Sequence, residues 1–516
     1  MKYGFVIDHR RCIGCHACTV ACKSENEVPL GSYRTWVKYV EQGQYPDTSR
    51  SFAVLRCNHC ENAPCVTICP VTALFKRDNG IVDFDGRRCI GCKACMQACP
   101  YDALYINPFT NTAEKCNFCA HRVELGLQPA CVVVCPEQAI IAGDLDNPLS
   151  KISSLIASEN TQVRKPEAQT LPKLYYIETS SAALKPVEQT HSGGYIWAEQ
   201  KPDPIRDDQE AMFQAETKAR TTYDVAHDRP WGWKVSAYLF TKSVSAGAFI
   251  VAALALTLSQ TMNRWLFDVA APIVALAFLA VTTALLVLDL KRPERFLSIL
   301  FRPQWKSWLV LGGYTLLAFG GVVSIWLGAY VLEIDLIRPP LMWLGVILAA
   351  LTAGYSAFLF RQARGRVFWN SPLVLPHLLV QSLIAGAAGL LIVAMGRSLL
   401  IGAPMEPASL NFLTYELLGS LIAHGVFISG ELFSSDESIE RHRTIRLITH
   451  GIFRKMFLRG AILIGLAAPI AAVAGALFLP EPLASYLVLT ASFLSLLGVF
   501  CWEHTWVQAG QAVPLS

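Results

Sequence analysis

Charge is scarce in this chain. Only 16% of its 516 residues are Asp, Glu, Lys or Arg, while 53% are hydrophobic. That balance is skewed towards a membrane protein. Neither sign dominates, and the formal net charge is +4. A basic excess at membrane loops accounts for that value, and no nucleic-acid partner is expected. Cysteine is nearly absent beyond position 135, where Cys501 stands alone; the other sixteen lie between Cys12 and Cys135. No apolar stretch follows the pair Arg10–Arg11, so no export signal is expected ahead of the cysteines. A secreted disulfide scaffold is therefore set aside.

The cysteines fall into four groups. Cys12, Cys15, Cys18 and Cys22 are spaced C-x2-C-x2-C-x3-C, and so are Cys89, Cys92, Cys95 and Cys99. Between and after them come Cys57, Cys60, Cys65 and Cys69, then Cys116, Cys119, Cys131 and Cys135. Proline follows the last cysteine of the second, third and fourth groups, at Pro70, Pro100 and Pro136, and limits the backbone there. The first and third spacings are those of bacterial ferredoxins. Three close cysteines wrap one face of a cubane while the loop offers N–H groups to its sulfurs. The fourth, on the following short helix, points to the neighbouring cluster. A zinc ribbon would show two separated C-x2-C pairs per site instead of the triple.

The register repeats. Arg11-Cys-Ile-Gly-Cys-His-Ala-Cys-Thr-Val-Ala-Cys22 matches Arg88-Cys-Ile-Gly-Cys-Lys-Ala-Cys-Met-Gln-Ala-Cys99, so each half reads as one ferredoxin unit, duplicated. On these motifs residues 1–150 resemble the four-cluster subunit of the DMSO reductase, formate dehydrogenase and polysulfide reductase complexes. The resemblance implies four [4Fe–4S] clusters with crossed ligand sets. One takes Cys12, Cys15, Cys18 and Cys135; another takes Cys22, Cys116, Cys119 and Cys131. A third takes Cys57, Cys60, Cys65 and Cys99, and the last takes Cys69, Cys89, Cys92 and Cys95. Residues 151–230, rich in Pro, Ser, Thr and Gln, read as an irregular tail and linker, with one short strand at 174–177.

Apolar runs long enough to cross a bilayer appear at about 235–258, 269–290, 308–331, 341–360, 374–396, 409–432, 458–479 and 483–507. The N-terminal flank and the second, fourth and sixth loops hold eighteen Lys and Arg, against Arg264, Arg338 and Arg397 in the opposite loops. That bias places the cysteine domain and both termini on the cytoplasmic side of the inner membrane. A second repeat pairs Tyr238-Leu-Phe-Thr-Lys-Ser-Val-Ser-Ala-Gly-Ala248 with His377-Leu-Leu-Val-Gln-Ser-Leu-Ile-Ala-Gly-Ala387, which implies two four-helix halves. Asp289-Leu-Lys-Arg-Pro-Glu-Arg-Phe296, Phe368-Trp-Asn-Ser-Pro372 and Ala509-Gly-Gln-Ala-Val-Pro-Leu-Ser516 resemble the NrfD-type membrane subunit of polysulfide reductase.

Ionisable groups inside spans are costly and mark function by default. Lys242 lies two turns into the first span, with Tyr238 a turn nearer the cysteine side; His377 and Gln381 hold the equivalent places in the fifth. Asp289, Glu431, Glu503 and His504 end their spans at the same depth. Reducing a quinone takes two electrons and two protons, which suits donors such as Tyr, Lys and His with carboxylates to relay protons. Tyr238, Lys242 and His377 are the expected quinone contacts and Asp289 an expected proton relay; the bland reading has Lys242 snorkelling and Asp289 paired with Arg292 or Arg295. Trp231 and Trp233 read as interface anchors. Glu416, His424 and Glu431 share one face of the sixth span.

The expected fold is an α+β, duplicated ferredoxin-like iron–sulfur domain over 1–150, then an all-α membrane domain of eight helices over 231–516. The expected function is that of a membrane anchor relaying electrons between a separate, molybdopterin-type catalytic subunit and menaquinone or ubiquinone. A proton-pumping module and a passive anchor without quinone are the alternatives. No complete substrate site is expected in this chain alone.

Overall fold

Tyr3–Asp8 alternates little and is buried along nearly its whole length. It is the centre of a four-stranded sheet, antiparallel to Ile140–Asp144 on one side and parallel to Leu174–Ile177 on the other. A second sheet is built on the long hairpin Thr35–Gln44 and Asp47–Arg56, extended by Ala219–Tyr223 and Gln189–His191. Thr161–Gln162, antiparallel to Leu174–Ile177, and two small hairpins, Leu74–Lys76 with Val82–Phe84 and Leu104–Ile106 with Ala113–Lys115, complete the strands among the described residues of this lobe. The computed structural model describes residues 1–191, 203–258, 262–402, 406–433 and 438–516.

The stretch 151–230 is more regular than the expected tail and linker. The strand expected at 174–177 is present, and two further strands of that stretch extend the second sheet. Helices Lys151–Ser158 and Pro204–Phe213 are capped by the side chains of Ser150 and Asp203. Residues 192–202 of the expected linker lie outside the described residues.

Among the described residues eight helices long and apolar enough to cross a bilayer follow: Trp233–Leu258, Trp265–Asp289, Trp308–Val331, Asp335–Gln362, Val374–Ile401, Pro407–Leu432, Met456–Ala476 and Leu483–Gly510. The most apolar stretch of the first is 83% buried within the bundle, against 28% for the second, third and seventh. The first span is therefore central, and the second and third turn Ile273, Val281, Leu317 and Ile325 outward, where lipid satisfies them. The repeated Ser-x-x-Ala-Gly-Ala stretches lie back to back. A Cβ on Gly247 would overlap the Ser382 carbonyl, and one on Gly386 would overlap the Gly247 backbone. Only glycine lets the first and fifth helices approach so closely.

The lobe sits on one end of the bundle with an unbroken core. Cysteines 57–116, Trp231, Tyr238, Phe360, Trp369, Trp502 and Trp506 belong to one buried cluster. The three segments that resemble the membrane subunit all lie at this junction. Backbone N–H groups of Lys291 and Arg292 donate to Gly91 and Ile90, and Arg295 Nη1 donates to the carbonyls of Gly86 and Cys89. Trp369 stacks on Trp231 with ring centres 5.3 Å apart. The terminal segment is buried against the lobe: Lys38, Arg164, Gln209 and Arg366 donate to the carbonyls of Ser516, Leu515, Ala512 and Val513.

Candidate functional site

The two matching cysteine loops share a backbone as well as a spelling. Gly14 and Gly91 have φ of 70° and 69°, and His16 and Lys93, two residues on, have φ of 60° and 63°. A left-handed residue on either side of the second cysteine curls the loop into a bowl, and glycine makes the first of these turns at no steric cost. Short helices, Ala17–Glu25 and Ala94–Ala98, then carry Cys18 and Cys95.

The bowls and the later loops bring the cysteines together in fours. Cys12, Cys15, Cys18 and Cys135 line one cavity. Cys22, Cys116, Cys119 and Cys131 line a second. Cys69, Cys89, Cys92 and Cys95 line a third, at the face turned to the bundle. Cys57, Cys60, Cys65 and Cys99 are mutual electrostatic neighbours in the same core. None of these cysteines is in a disulfide. Among the described residues no three Cys, His, Asp or Glu side chains converge on a single ion. Four thiols around a cavity, too dispersed for one zinc, fit a polynuclear cluster. Backbone N–H groups of Ala73, Gly91, Ala113 and Ala139 point at the sulfurs of Cys69, Cys89, Cys89 and Cys135, at 3.2–3.4 Å. Burial pushes the Cys60 and Cys116 thiols up to about 12, so bare thiols there hold their protons at neutral pH and a metal must displace them.

Below the third cavity the first span brings polar groups into the bundle. Tyr238 is buried. One turn deeper, Lys242 is fully buried; its ammonium donates to the Ala353 carbonyl at 2.9 Å and to Ser356 Oγ, and lies 5.0 Å from the Tyr355 ring centre. It is not snorkelling. Glu503 faces it from the last span, with Ser243 Oγ 3.4 Å away. With the Gln381 amide turned to suit both neighbours, its nitrogen donates to Glu503 at 3.0 Å and its oxygen accepts from Trp502 Nε1 at 3.1 Å.

His377 stands beyond Trp502, their ring centres 5.6 Å apart. Its Nδ1 bonds Glu431 and its Nε2 bonds His424 Nδ1, each at 2.7 Å. All three are buried, and the second Glu431 oxygen has no partner among the described residues. Glu416, on the same face of that helix, lies eight residues below His424, about 12 Å at the helical rise. Asp289 is paired with neither Arg292 nor Arg295. Its carboxylate takes the Lys93 ammonium at 2.9 Å, from the loop between Cys92 and Cys95. Trp231 is buried among Phe360 and Trp369 and is no interface anchor; Trp233 is exposed.

Sequence reasoning passed over Lys93, Tyr355, Ser356 and Trp502. Lys93 alone carried a signal, since it replaces His16 of the first repeat.

Two family matches cover most of the chain. Residues 49–145 match a 4Fe-4S dicluster domain, and residues 221–514 match the family described as "Polysulphide reductase, NrfD". A tetrathionate reductase subunit of Salmonella typhimurium is 45% identical over 190 residues, 36% of this chain and 76% of that protein. A polysulfide reductase polypeptide of Wolinella succinogenes is 42% identical over 187 residues, 36% of this chain and 98% of its own length. A putative dimethyl sulfoxide reductase iron-sulfur subunit of Halobacterium salinarum is 39% identical over 264 residues, 44% of this chain and 96% of its own. The larger family match is the bundle. This protein therefore belongs to the NrfD polysulphide reductase family and is a multi-pass membrane, iron–sulfur electron-transport protein with its 4Fe-4S domain in the same polypeptide.

Proposed function

We propose that this chain joins a separate catalytic subunit, of the molybdopterin type, to the membrane quinone pool, with four [4Fe–4S] clusters in the lobe and a quinone site at the cluster-side end of the first span. The clusters supply one-electron transfer; the rest is the work of the chain's own side chains. Cys12, Cys15, Cys18 and Cys135 hold the outermost cluster, and Cys69, Cys89, Cys92 and Cys95 hold the one nearest the bundle.

The observation that carries the reading is the continuous buried core from the third cavity through Trp231 to Tyr238. A quinone headgroup beside Tyr238 would accept a hydrogen bond from its hydroxyl and a second from the remaining Lys242 proton, in a low dielectric that strengthens both. Tyr238 and Lys242 are four residues apart and share a helix face. Glu503 balances the Lys242 charge. His377 is proposed to exchange protons with the quinone side of the network, since it is held between an acid and a second imidazole that can pass a proton in either direction. Asp289 is proposed to anchor the lobe through Lys93 instead of relaying protons. The basic loops support a cytoplasmic position for the lobe.

Lys242→Met keeps the length of the side chain and removes charge and donor; Tyr238→Phe removes one hydroxyl. Each is expected to slow cluster–quinone electron exchange about tenfold or more, for a lost hydrogen bond of about 1.5 kcal/mol, at unchanged iron content. Parental rates in both variants would move the site elsewhere.

A further inference from the structure

Each cysteine group opens with a basic residue: Arg11 before Cys12, Arg56 before Cys57, Arg88 before Cys89 and Lys115 before Cys116. Arg11 and Arg88 are exposed. Arg56 and Lys115 are buried without any solvent exposure. Arg56 does not serve the cysteine set it precedes. Its Nη1 lies 3.0 Å from Cys131 Sγ, its guanidinium covers the Phe5 ring at 4.7 Å, and it lines the cavity of Cys22, Cys116, Cys119 and Cys131. Its Nε and Nη2 are buried with no partner among the described residues. Lys115 mirrors it. It precedes a cysteine of that second set, is bound only to the carbonyls of Val82 and Cys116 among the described residues, and lies within electrostatic reach of Cys65 in the other set.

The other buried cations that line these cavities are offset. Arg34, on the wall of the same cavity, is paired with Glu114 at 2.9 Å. Lys93 is paired with Asp289. Glu25, near Cys119, is taken by Arg122 and His121 at the surface. Arg56 is fully charged at any working pH, and no carboxylate meets it among the described residues. Beyond its contact with the Phe5 ring, a guanidinium so placed is stabilised by negative charge in the cavity it faces.

We propose that Arg56 sets the reduction potential of the cluster held by Cys22, Cys116, Cys119 and Cys131. This rests on the cluster reading above. One-electron reduction adds one negative charge to a cluster. An uncompensated buried cation at contact distance favours that form and raises the potential; hydrogen bonds to the sulfurs act in the same direction. The loop of one cysteine set thus carries the charge that poises another set's cluster. Arg56 is a positioning residue, since it does not bind iron.

The test is an EPR-monitored redox titration of the full membrane protein, with dithionite as reductant, alongside iron and sulfide analysis. Arg56→Gln keeps a donor and removes the charge; Arg56→Lys keeps the charge. Glu114→Gln frees Arg34 from its partner and adds an uncompensated cation to the same cavity. In the Gln variant one step should shift to lower potential by at least about tenfold in the reduced-to-oxidised ratio, about 59 mV for a one-electron couple. The Lys variant should stay near the parent, and Glu114→Gln should shift the same step upward. Superimposable parent and Arg56→Gln titrations overturn the proposal, as does an Arg56→Lys shift as large as that of Gln. Loss of a cluster's iron from the Gln variant also overturns it, by assigning Arg56 to retention. A parent protein without iron would instead overturn the cluster reading itself.

Discussion

Asp289 and Lys93 meet across 196 residues of chain, one at the end of the second span and the other inside a cysteine loop. Lys93 is buried and Asp289 nearly so, which places the pair between a surface ion pair and a core one. Removing one partner leaves the other charge partly desolvated. Asp289→Asn should therefore lower the stability of the docked lobe by about 1–3 kcal/mol, read as a lower midpoint for thermal loss of cluster absorbance. A Lys93→Met/Asp289→Leu double variant should recover part of that loss. A single variant as stable as the parent would remove Asp289 from the docking account. No local pattern announces such a pair: the sequence offers Arg292 and Arg295 beside Asp289, and both instead reach lobe backbone. The cysteine groups were legible because their chemistry is written in spacings of two and three residues. Tyr238 and Lys242 were legible as polar groups in an apolar run, but the Ser356 and Ala353 partners of Lys242 lie on another helix and carry no mark in the sequence.

The spans were legible as elements because a bilayer demands about twenty apolar residues in a row, and every expected run is a helix within a few residues of its expected ends. The strands at 189–191 and 219–223 were not. Gln-Thr-His and Ala-Arg-Thr-Thr-Tyr have no alternating apolar face, and their pairing with the hairpin over 35–56 is fixed by tertiary contact. The terminal segment is another element whose role appears only in three dimensions. Ser516 Oγ lies 3.2 Å from His227 Nε2, and His227 Nδ1 lies 2.9 Å from Asp102 on the lobe. Burial works to lower the His227 pKa, but Asp102 and Asp224 outweigh it and push it up to about 10. The folded value lies above the ordinary one of about 6.5, so this pair's stabilisation is complete below about 6.5 and is lost as pH rises through about 10. The unfolding midpoint should accordingly fall across that window, and His227→Gln should flatten the slope; an unchanged slope would mean the pair contributes nothing. At the first and fifth helices, Gly247→Leu should prevent assembly of the bundle, since the side chain would have to occupy the Ser382 backbone. Normal membrane yield and thermal stability of that variant would refute the close approach.

At the scale of the whole molecule, the lobe, the basic loops and the buried polar groups share one end of the bundle. Sidedness is best read from loops, because a reporter attached after Ser516 would disturb a buried segment. Single cysteines at two exposed sites serve: Glu333, in a loop at the far end, and Asp47, in the lobe hairpin. Glu333→Cys should react with an impermeant maleimide added to whole cells and Asp47→Cys should not; the reverse pattern would turn the protein over. Four cubanes require about sixteen iron and sixteen sulfide per chain, and a content near eight would halve the cluster number. The central claim, that these clusters exchange electrons with quinone through this chain, is met most directly by one stopped-flow measurement. Anaerobic protein in lipid vesicles is bleached with dithionite just to completion and mixed with a menaquinone or ubiquinone analogue. Recovery of the cluster absorbance is predicted, slowed about tenfold or more in Lys242→Met. Absorbance that stays bleached with quinone but returns with ferricyanide would contradict it.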